Sequence, residues 1–212
     1  PILSAKNGEI IAYEALMRSQ LATLKNPEMI LRIAREENKL EDVERICIFK
    51  STETFDQLRK NKLVKEDALL FINSIASVSL NDDDRERFHC YFSHIQSQIV
   101  VEVTEEENMS EEALIRKRET KGFSGMFALD DYGSGYNTEI NLLNLSPKYI
   151  KIDLTIVRNI DKDFDKQQLV SNIVEYAHQR DAYIIAEGIE TKEELLKVLE
   201  LGVDYLQGYY LS

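Results

Sequence analysis

Met126-Phe127-Ala128-Leu129-Asp130-Asp131-Tyr132-Gly133-Ser134-Gly135 sets a short apolar run against two adjacent carboxylates and a glycine-rich turn. An apolar run of this length bounded by turn residues reads as a buried strand, with the Asp pair at its C-terminal end. Neighbouring like charges raise each other's proton affinity unless a cation neutralises them. Taken alone, the pair has a plain structural explanation, with one acid capping the next segment and the other in water. The weight of the stretch comes from the rest of the chain, where other apolar runs also end in a carboxylate or an amide.

Upstream, Pro1-Ile2-Leu3-Ser4 and Ile10-Ile11-Ala12-Tyr13-Glu14 flank Asn7-Gly8, a dipeptide suited to the positive backbone angles of a tight hairpin turn. Ala68-Leu69-Leu70-Phe71-Ile72 ends at Asn73, and Ile99-Val100-Val101 leads into Glu102-Val103-Thr104-Glu105. A period of two puts Glu102 and Thr104 on one side of that strand and Val103 and Glu105 on the other. Downstream come Tyr149-Ile150-Lys151-Ile152-Asp153, Tyr183-Ile184-Ile185-Ala186-Glu187 and Tyr205-Leu206-Gln207-Gly208. Helical spacing links Met29, Ile30, Ile33 and Ala34, then Val43, Ile46, Cys47, Ile48 and Leu58, and later Leu169, Val170, Ile173, Val174 and Ala177, all read as core faces. Thr191 to Glu194 has the spacing of a capping box, and Gly202 is a natural stop for the helix it opens. Asn81-Asp82-Asp83-Asp84-Arg85-Glu86-Arg87 reads as an exposed loop entering a helix.

Strand signals that alternate with helices predict a parallel sheet, and eight of them predict closure. The expected fold is α/β, a modified TIM-like (β/α)8 barrel with an antiparallel N-terminal hairpin. No linker, low-complexity tract or repeat divides residues 1–212, so one domain is expected.

Composition narrows the function classes. A formal charge of −12 argues against a DNA or RNA polymer as partner, although bound cations can invert the local field and admit a phosphate. No run of about 18 apolar residues offers a membrane span. With 43% apolar residues there is material for a sizeable core, and a soluble cytoplasmic domain without membrane contact is expected. Cys47 and Cys90 lack metal-ligand spacing and read as structural thiols. His89, His94 and His178 lie away from the strand ends, and no Ser-His-Asp or Cys-His arrangement competes.

Glu14, Asn73, Glu105, Asp130, Asp131, Lys151, Glu187 and Gln207 each close an apolar run. In barrels the C-terminal rim of the strands carries the chemistry, because side chains from different strands converge there. Oxygen donors in this number suit magnesium or manganese better than zinc, which recruits His or Cys. Each residue has an ordinary role open to it, as a surface acid, turn former, cap or hydrogen bonder; convergence on one rim is what singles out the set.

In order along the chain, Glu14-Ala15-Leu16 with Arg18, Asn73, Glu102-Val103-Thr104-Glu105, Asp130-Asp131-Tyr132-Gly133-Ser134-Gly135, Lys151-Ile152-Asp153, Glu187-Gly188-Ile189-Glu190 and Gln207-Gly208-Tyr209 resemble the signatures of the EAL-domain cyclic di-GMP phosphodiesterases. Nearly the whole chain takes part in the resemblance. It implies a barrel whose early hairpin breaks the parallel rule, two divalent cations (Mg²⁺ or Mn²⁺), and hydrolysis of cyclic di-GMP to linear pGpG. Glu14, Asn73, Glu105 and Asp130 match the ligands of one cation, and Asp130 with Asp131 those of the second. Lys151 matches the lysine near the attacking water and the scissile phosphate. Glu187 matches the carboxylate that orients that water and accepts its proton. Leu16 and Arg18 match substrate contacts, and Asp153, Glu190 and Gln207 match residues that support the site and its loops.

Tyr132 and Ser134 stand where the family more often has Phe and Thr, and Ser19 replaces an aromatic. The same resemblance implies a homodimer and an origin in a longer signalling protein with flanking sensory or GGDEF-type domains, whose parent could be membrane-anchored. Two other classes stay open at this level: a cyclic di-GMP receptor without turnover, and a regulatory protein-interaction domain.

Overall fold

The structure is a computed structural model that describes residues 1–19, 26–75, 77–104, 126–134 and 138–211. Its strands are β1 (Ile2–Ser4), β2 (Ile10–Ala15), β3 (Leu69–Asn73), β4 (Ile99–Thr104), β5 (Met126–Tyr132), β6 (Tyr149–Ile152), β7 (Tyr183–Ala186) and β8 (Tyr205–Leu206). They close in sequence order into a barrel, as the count of strand-like runs predicts. Between them lie α1 (Pro27–Glu36), α2 (Leu40–Lys60), α3 (Asp82–Phe92), α4 (Thr138–Leu145), α5 (Leu154–Val157), α6 (Phe164–His178) and α7 (Lys192–Glu200). Among the described residues no helix is long and apolar enough to cross a membrane.

The hairpin expected at Asn7-Gly8 is present, with Gly8 at φ 69° and β1 antiparallel to β2. β1 is also antiparallel to β8, pairing Leu3 with Leu206 and Ser4 with Tyr205. From β5 to β8 the pairing is parallel.

By its contacts the chain forms two compact units, one of Pro1–Tyr13, Glu102–Asn108 and Met126–Ser212, the other of Glu14–Val101 and Met109–Gly125. In the first, Ala128, Ile150, Ile152, Ile184, Ile185 and Ala186 are buried with the α6 stripe of Val170, Ile173, Val174 and Ala177. α7 opens on the predicted capping box, with Thr191 and Glu194 each accepting a backbone N–H of the other. At the N-terminal ends of β6, β7 and β8 the rings of Tyr149, Tyr183 and Tyr205 stack with centroids 5.6 to 6.2 Å apart. Burial among these rings pushes the Tyr149 and Tyr205 hydroxyls above their ordinary range.

The second unit departs from the sequence reading on α1, where Met29 and Ile33, read as core, are exposed and Ala34 is buried, on α2, and at the acidic stretch. The buried stripe of α2 is Glu44, Ile48, Thr52, Phe55 and Asp56, whereas Ile46, read as core, is 52% exposed. Apolar spacing alone missed a face that carries polar groups with partners waiting for them. The acidic stretch at Asn81 is helical almost from its start. Asn81 caps α3 by accepting from the Asp84 N–H, and Asp82, Asp83 and Asp84 fill the first turn, where the helix dipole favours anions.

Asp56 accepts from Lys60 at 2.6 Å and meets His94 Nε2 at 2.9 Å, tying α2 to the segment just past α3. Burial pushes the Asp56 carboxyl up, but the hydrogen bonds from Lys60 and His94 outweigh it and hold the group below the usual carboxylate range. A carboxyl depressed by folding contributes stability above its unfolded pKa of about 3.9 and loses it as pH falls through the folded value. Asp56→Asn is therefore expected to lower the urea midpoint at pH 6, with the gap from the parent protein narrowing as pH is taken below about 4. A gap that stayed constant with pH would contradict this account of Asp56.

Candidate active site

β6 carries Lys151 into the interior. Its side chain is 1% exposed, and its ammonium lies 2.7 Å from Glu102 Oε1 on β4, 2.9 Å from Asp130 Oδ1 on β5 and 2.7 Å from Glu187 Oε1 just past β7. The positions follow from strand geometry: Lys151 pairs with Ile185 in the β6–β7 register, and the Glu187 N–H donates to Ile152 O at 3.2 Å, fixing where β7 gives way to its loop. A buried ammonium needs such company, since an isolated charge in the interior costs several kcal/mol.

The Asp pair depends on a local break in the ladder. Ala128 and Leu129 pair with Tyr149 and Ile150, but the next pairing is Tyr132 with Ile152, so one extra residue is accommodated on β5. In a regular strand, Asp130 and Asp131 would point to opposite faces. Here Asp131 takes φ 57°, a conformation that Asp tolerates better than most residues. Bulges of this kind re-aim a side chain. As a result Asp130, Asp131 and Glu187 each present a carboxylate oxygen within 4.8 Å of the others. The Asp131 N–H also donates to Asp130 Oδ1 at 3.1 Å. Gly133, at φ 101°, completes the turn, and a Cβ there would strike Ile156 of α5.

Around Lys151, a single positive charge faces three carboxylates, and Asp131 adds a fourth beside them. The donors are hard oxygens and the local charge is in excess negative, so this arrangement fits a divalent cation.

Asp153 caps α5 by accepting the Thr155 N–H at 2.9 Å. Glu190 forms a two-pronged ion pair with Arg158, at 2.6 and 2.7 Å. Buried Glu194 accepts the N–H groups of Asn159, Glu190 and Thr191, and although burial pushes its carboxyl up, these bonds bring it below the ordinary range. The loop behind Glu187 is thus anchored on the α5–α6 connection. Gln207 closes the other side: its N–H donates to Ala186 O and its carbonyl accepts the Ile189 N–H.

In the other unit, Asn73 at the end of β3 donates from Nδ2 to Glu14 Oε1 at 3.3 Å, so these two predicted ligands are neighbours. Leu16 and Arg18 follow β2 and are exposed, with Arg18 Nη1 donating to Met17 O. Glu105 and Gly135 lie outside the described residues.

Sequence reasoning passed over Glu102 as a site residue and chose Glu105 from the same motif. Glu102 is 0% exposed and sits on Lys151. A signal existed: it is the one charged residue in Ile99-Val100-Val101-Glu102-Val103, a run buried on both faces.

Against known proteins, the family model described as EAL domain matches residues 1–212. Cyclic di-GMP phosphodiesterase PdeF of Escherichia coli (strain K12) is 33% identical over 117 residues, which is 54% of this chain and 16% of PdeF. Cyclic di-GMP phosphodiesterase PdeL of the same organism is 42% identical over 86 residues, 41% of this chain and 24% of PdeL. The chain therefore spans about a quarter or less of these curated relatives. Among solved structures, the EAL enzyme Bd1971 in its cAMP- and cyclic-di-GMP-bound form superposes with a TM-score of 0.82 at 28% identity, over 100% of this chain and 60% of that one.

Lys151→Met removes the charge on which the buried carboxylates rest. The expected loss is about 3–5 kcal/mol in urea unfolding of the cation-free protein, the range for breaking a buried pair on one side. A loss below about 1 kcal/mol, the worth of a surface pair, would show that water already compensates these carboxylates.

Proposed function

The chain belongs to the EAL-domain family, and from that membership and its buried lysine–carboxylate cluster we propose that it hydrolyses cyclic di-GMP to linear pGpG. The observation that carries the reading is Lys151, held by Glu102, Asp130 and Glu187 with Asp131 beside them. A structural ion pair needs one partner. A lysine set among several carboxylates next to a strained Asp pair keeps fixed charges of both signs in one small space, as transfer at an anionic phosphodiester requires.

Two divalent cations, Mg²⁺ or Mn²⁺, when bound supply Lewis acidity and a clamp on the attacking and leaving oxygens of an in-line displacement. Asp130 would hold both, with Glu14, Asn73 and Glu105 as further ligands of the first and Asp131 of the second, and Glu102 contributing its charge beside Lys151. Leu16 and Arg18 contact the nucleotide, and the Arg18 guanidinium meets a phosphate oxygen. Glu187 orients the attacking water and takes its proton. Lys151 places its ammonium where negative charge grows as the new P–O bond forms and the bond to the 3′ oxygen breaks. Stabilisation confined to that stage raises the rate rather than merely tightening substrate binding. Asp153, Glu190 and Gln207 keep the loops carrying these groups in position. A homodimer, flanking sensory or GGDEF-type segments and a cytoplasmic site of action belong to the same reading. Support comes from the PdeF and PdeL relatives, both named cyclic di-GMP phosphodiesterases.

Turnover of cyclic di-GMP with Mg²⁺ or Mn²⁺ is expected, with loss on chelation and recovery when the cation is returned. Glu187→Gln should lower kcat by about 10²–10⁴-fold with a smaller change in KM, the usual worth of a positioned proton acceptor. Glu14→Ala should abolish turnover at limiting cation. Cation-replete protein that binds the nucleotide but never forms linear product would turn the reading toward a receptor.

A further inference from the structure

α2 buries a glutamate. Glu44 is 2% exposed in a buried stripe it shares with Ile48, Thr52, Phe55 and Asp56, where an acid is the exception. Its carboxylate is fully engaged: Oε2 accepts the Ile75 N–H at 2.9 Å, and Oε1 accepts from the Ser74 hydroxyl. Ser74 and Ile75 are the first residues after β3, where the backbone leaves the sheet ladder and its N–H groups need new acceptors. The residue immediately before them is Asn73, whose amide donates to Glu14. The next residue of α2, Arg45, reaches Asp84 in the first turn of α3 at 3.6 Å. α2 therefore grips the β3–α3 connection at its start through Glu44 and near its end through Arg45.

We propose that Glu44 is a positioning residue for Asn73: by fixing the backbone at Ser74 and Ile75 it sets the direction of the Asn73 amide, and with it the affinity of the site for a divalent cation. The inference rests on the reading of Asn73 as a cation ligand. A carboxylate suits the task because its two oxygens accept from a hydroxyl and a backbone N–H at once, and charge-assisted bonds to an anion are the stronger kind. A neutral side chain of similar shape keeps part of the grip, since the amide oxygen of Gln can still accept from Ile75 while the Ser74 hydroxyl turns to accept from its NH₂.

The test titrates Mn²⁺ into nucleotide-free protein by calorimetry and follows hydrogen exchange of the Ile75 amide by NMR. Glu44→Ala is expected to weaken Mn²⁺ binding about 10- to 100-fold, the range for residues that orient a ligand from behind, and to expose the Ile75 amide. Glu44→Gln should recover most of both. Thr52→Ala, in the same buried stripe but bonded within α2 to Ile48 O at 2.8 Å, should leave Mn²⁺ affinity within about twofold. Should Glu44→Ala not fold, Ser74→Ala removes one of the two grips and is read the same way, weaker Mn²⁺ binding supporting the proposal and unchanged binding overturning it. Parent-like affinity in folded Glu44→Ala while Asn73→Ala loses binding overturns the positioning role alone. An equal loss in Thr52→Ala overturns it as well, by tracing the effect to general loosening of α2. Unchanged affinity in Asn73→Ala removes Asn73 as a ligand, and the role of Glu44 falls with it.

Discussion

Everything near the rim is organised by the burial of one ammonium. Lys151 is withdrawn from water on β6, and its charge is tolerable only because carboxylates from β4, β5 and the end of β7 come to it. That requirement ties β4, β5 and the end of β7 to β6. It also leaves the neighbourhood with more negative than positive charge, so the same residues that make Lys151 possible make a cation welcome. Stability and chemistry draw here on one set of contacts, and neither can be altered without disturbing the other.

The loops behind these groups are held by a second tier of carboxylates that hydrogen-bond to backbone. Glu194 gathers three N–H groups from two separate segments, and Glu44 takes a backbone N–H and a hydroxyl just beyond Asn73. Both are buried acids on helices. Their role differs from that of the rim acids: they satisfy backbone donors in connections, Glu44 just past β3 and Glu194 after α5 and at the start of α7. The close approach of Gly208 to the Ile189 backbone, where a Cβ would come within 2.2 Å, adds a purely steric fastening to the same loop.

The barrel was legible because its signals are local and repeated. Apolar runs closed by polar residues marked every strand, and Asn7-Gly8 marked the hairpin. Asp130, Lys151 and Glu187 were legible because each terminates such a run, and the structure joins them directly. Glu102 was not singled out, because the motif around it offers two glutamates and attention to run ends favours the later one. Glu44 escaped for a related reason. Helical apolar spacing on α2 points to Ile46, which faces water, and not to the acid whose partners lie some 30 residues onward in the chain. Pairings of that range leave no imprint on periodicity. The bulge on β5 was hidden as well: two adjacent acids after an apolar run look the same whether the strand stops before them or, as here, continues through Tyr132.

That bulge gives the site a parity. Side chains on a strand alternate, so a single inserted or missing residue reverses the sense of everything beyond it. β5 spends its extra residue at the Asp pair, and Tyr132 returns to pairing with Ile152 one step out of phase with Leu129 and Ile150. Shortening the chain by one residue at this point would restore an ordinary ladder and a sound barrel while turning one acid away from its partners. A lineage carrying this fold thus sits one codon from a protein that keeps its architecture and forfeits its paired acids, a short route by which a barrel of this kind could be retired from chemistry and kept as a scaffold.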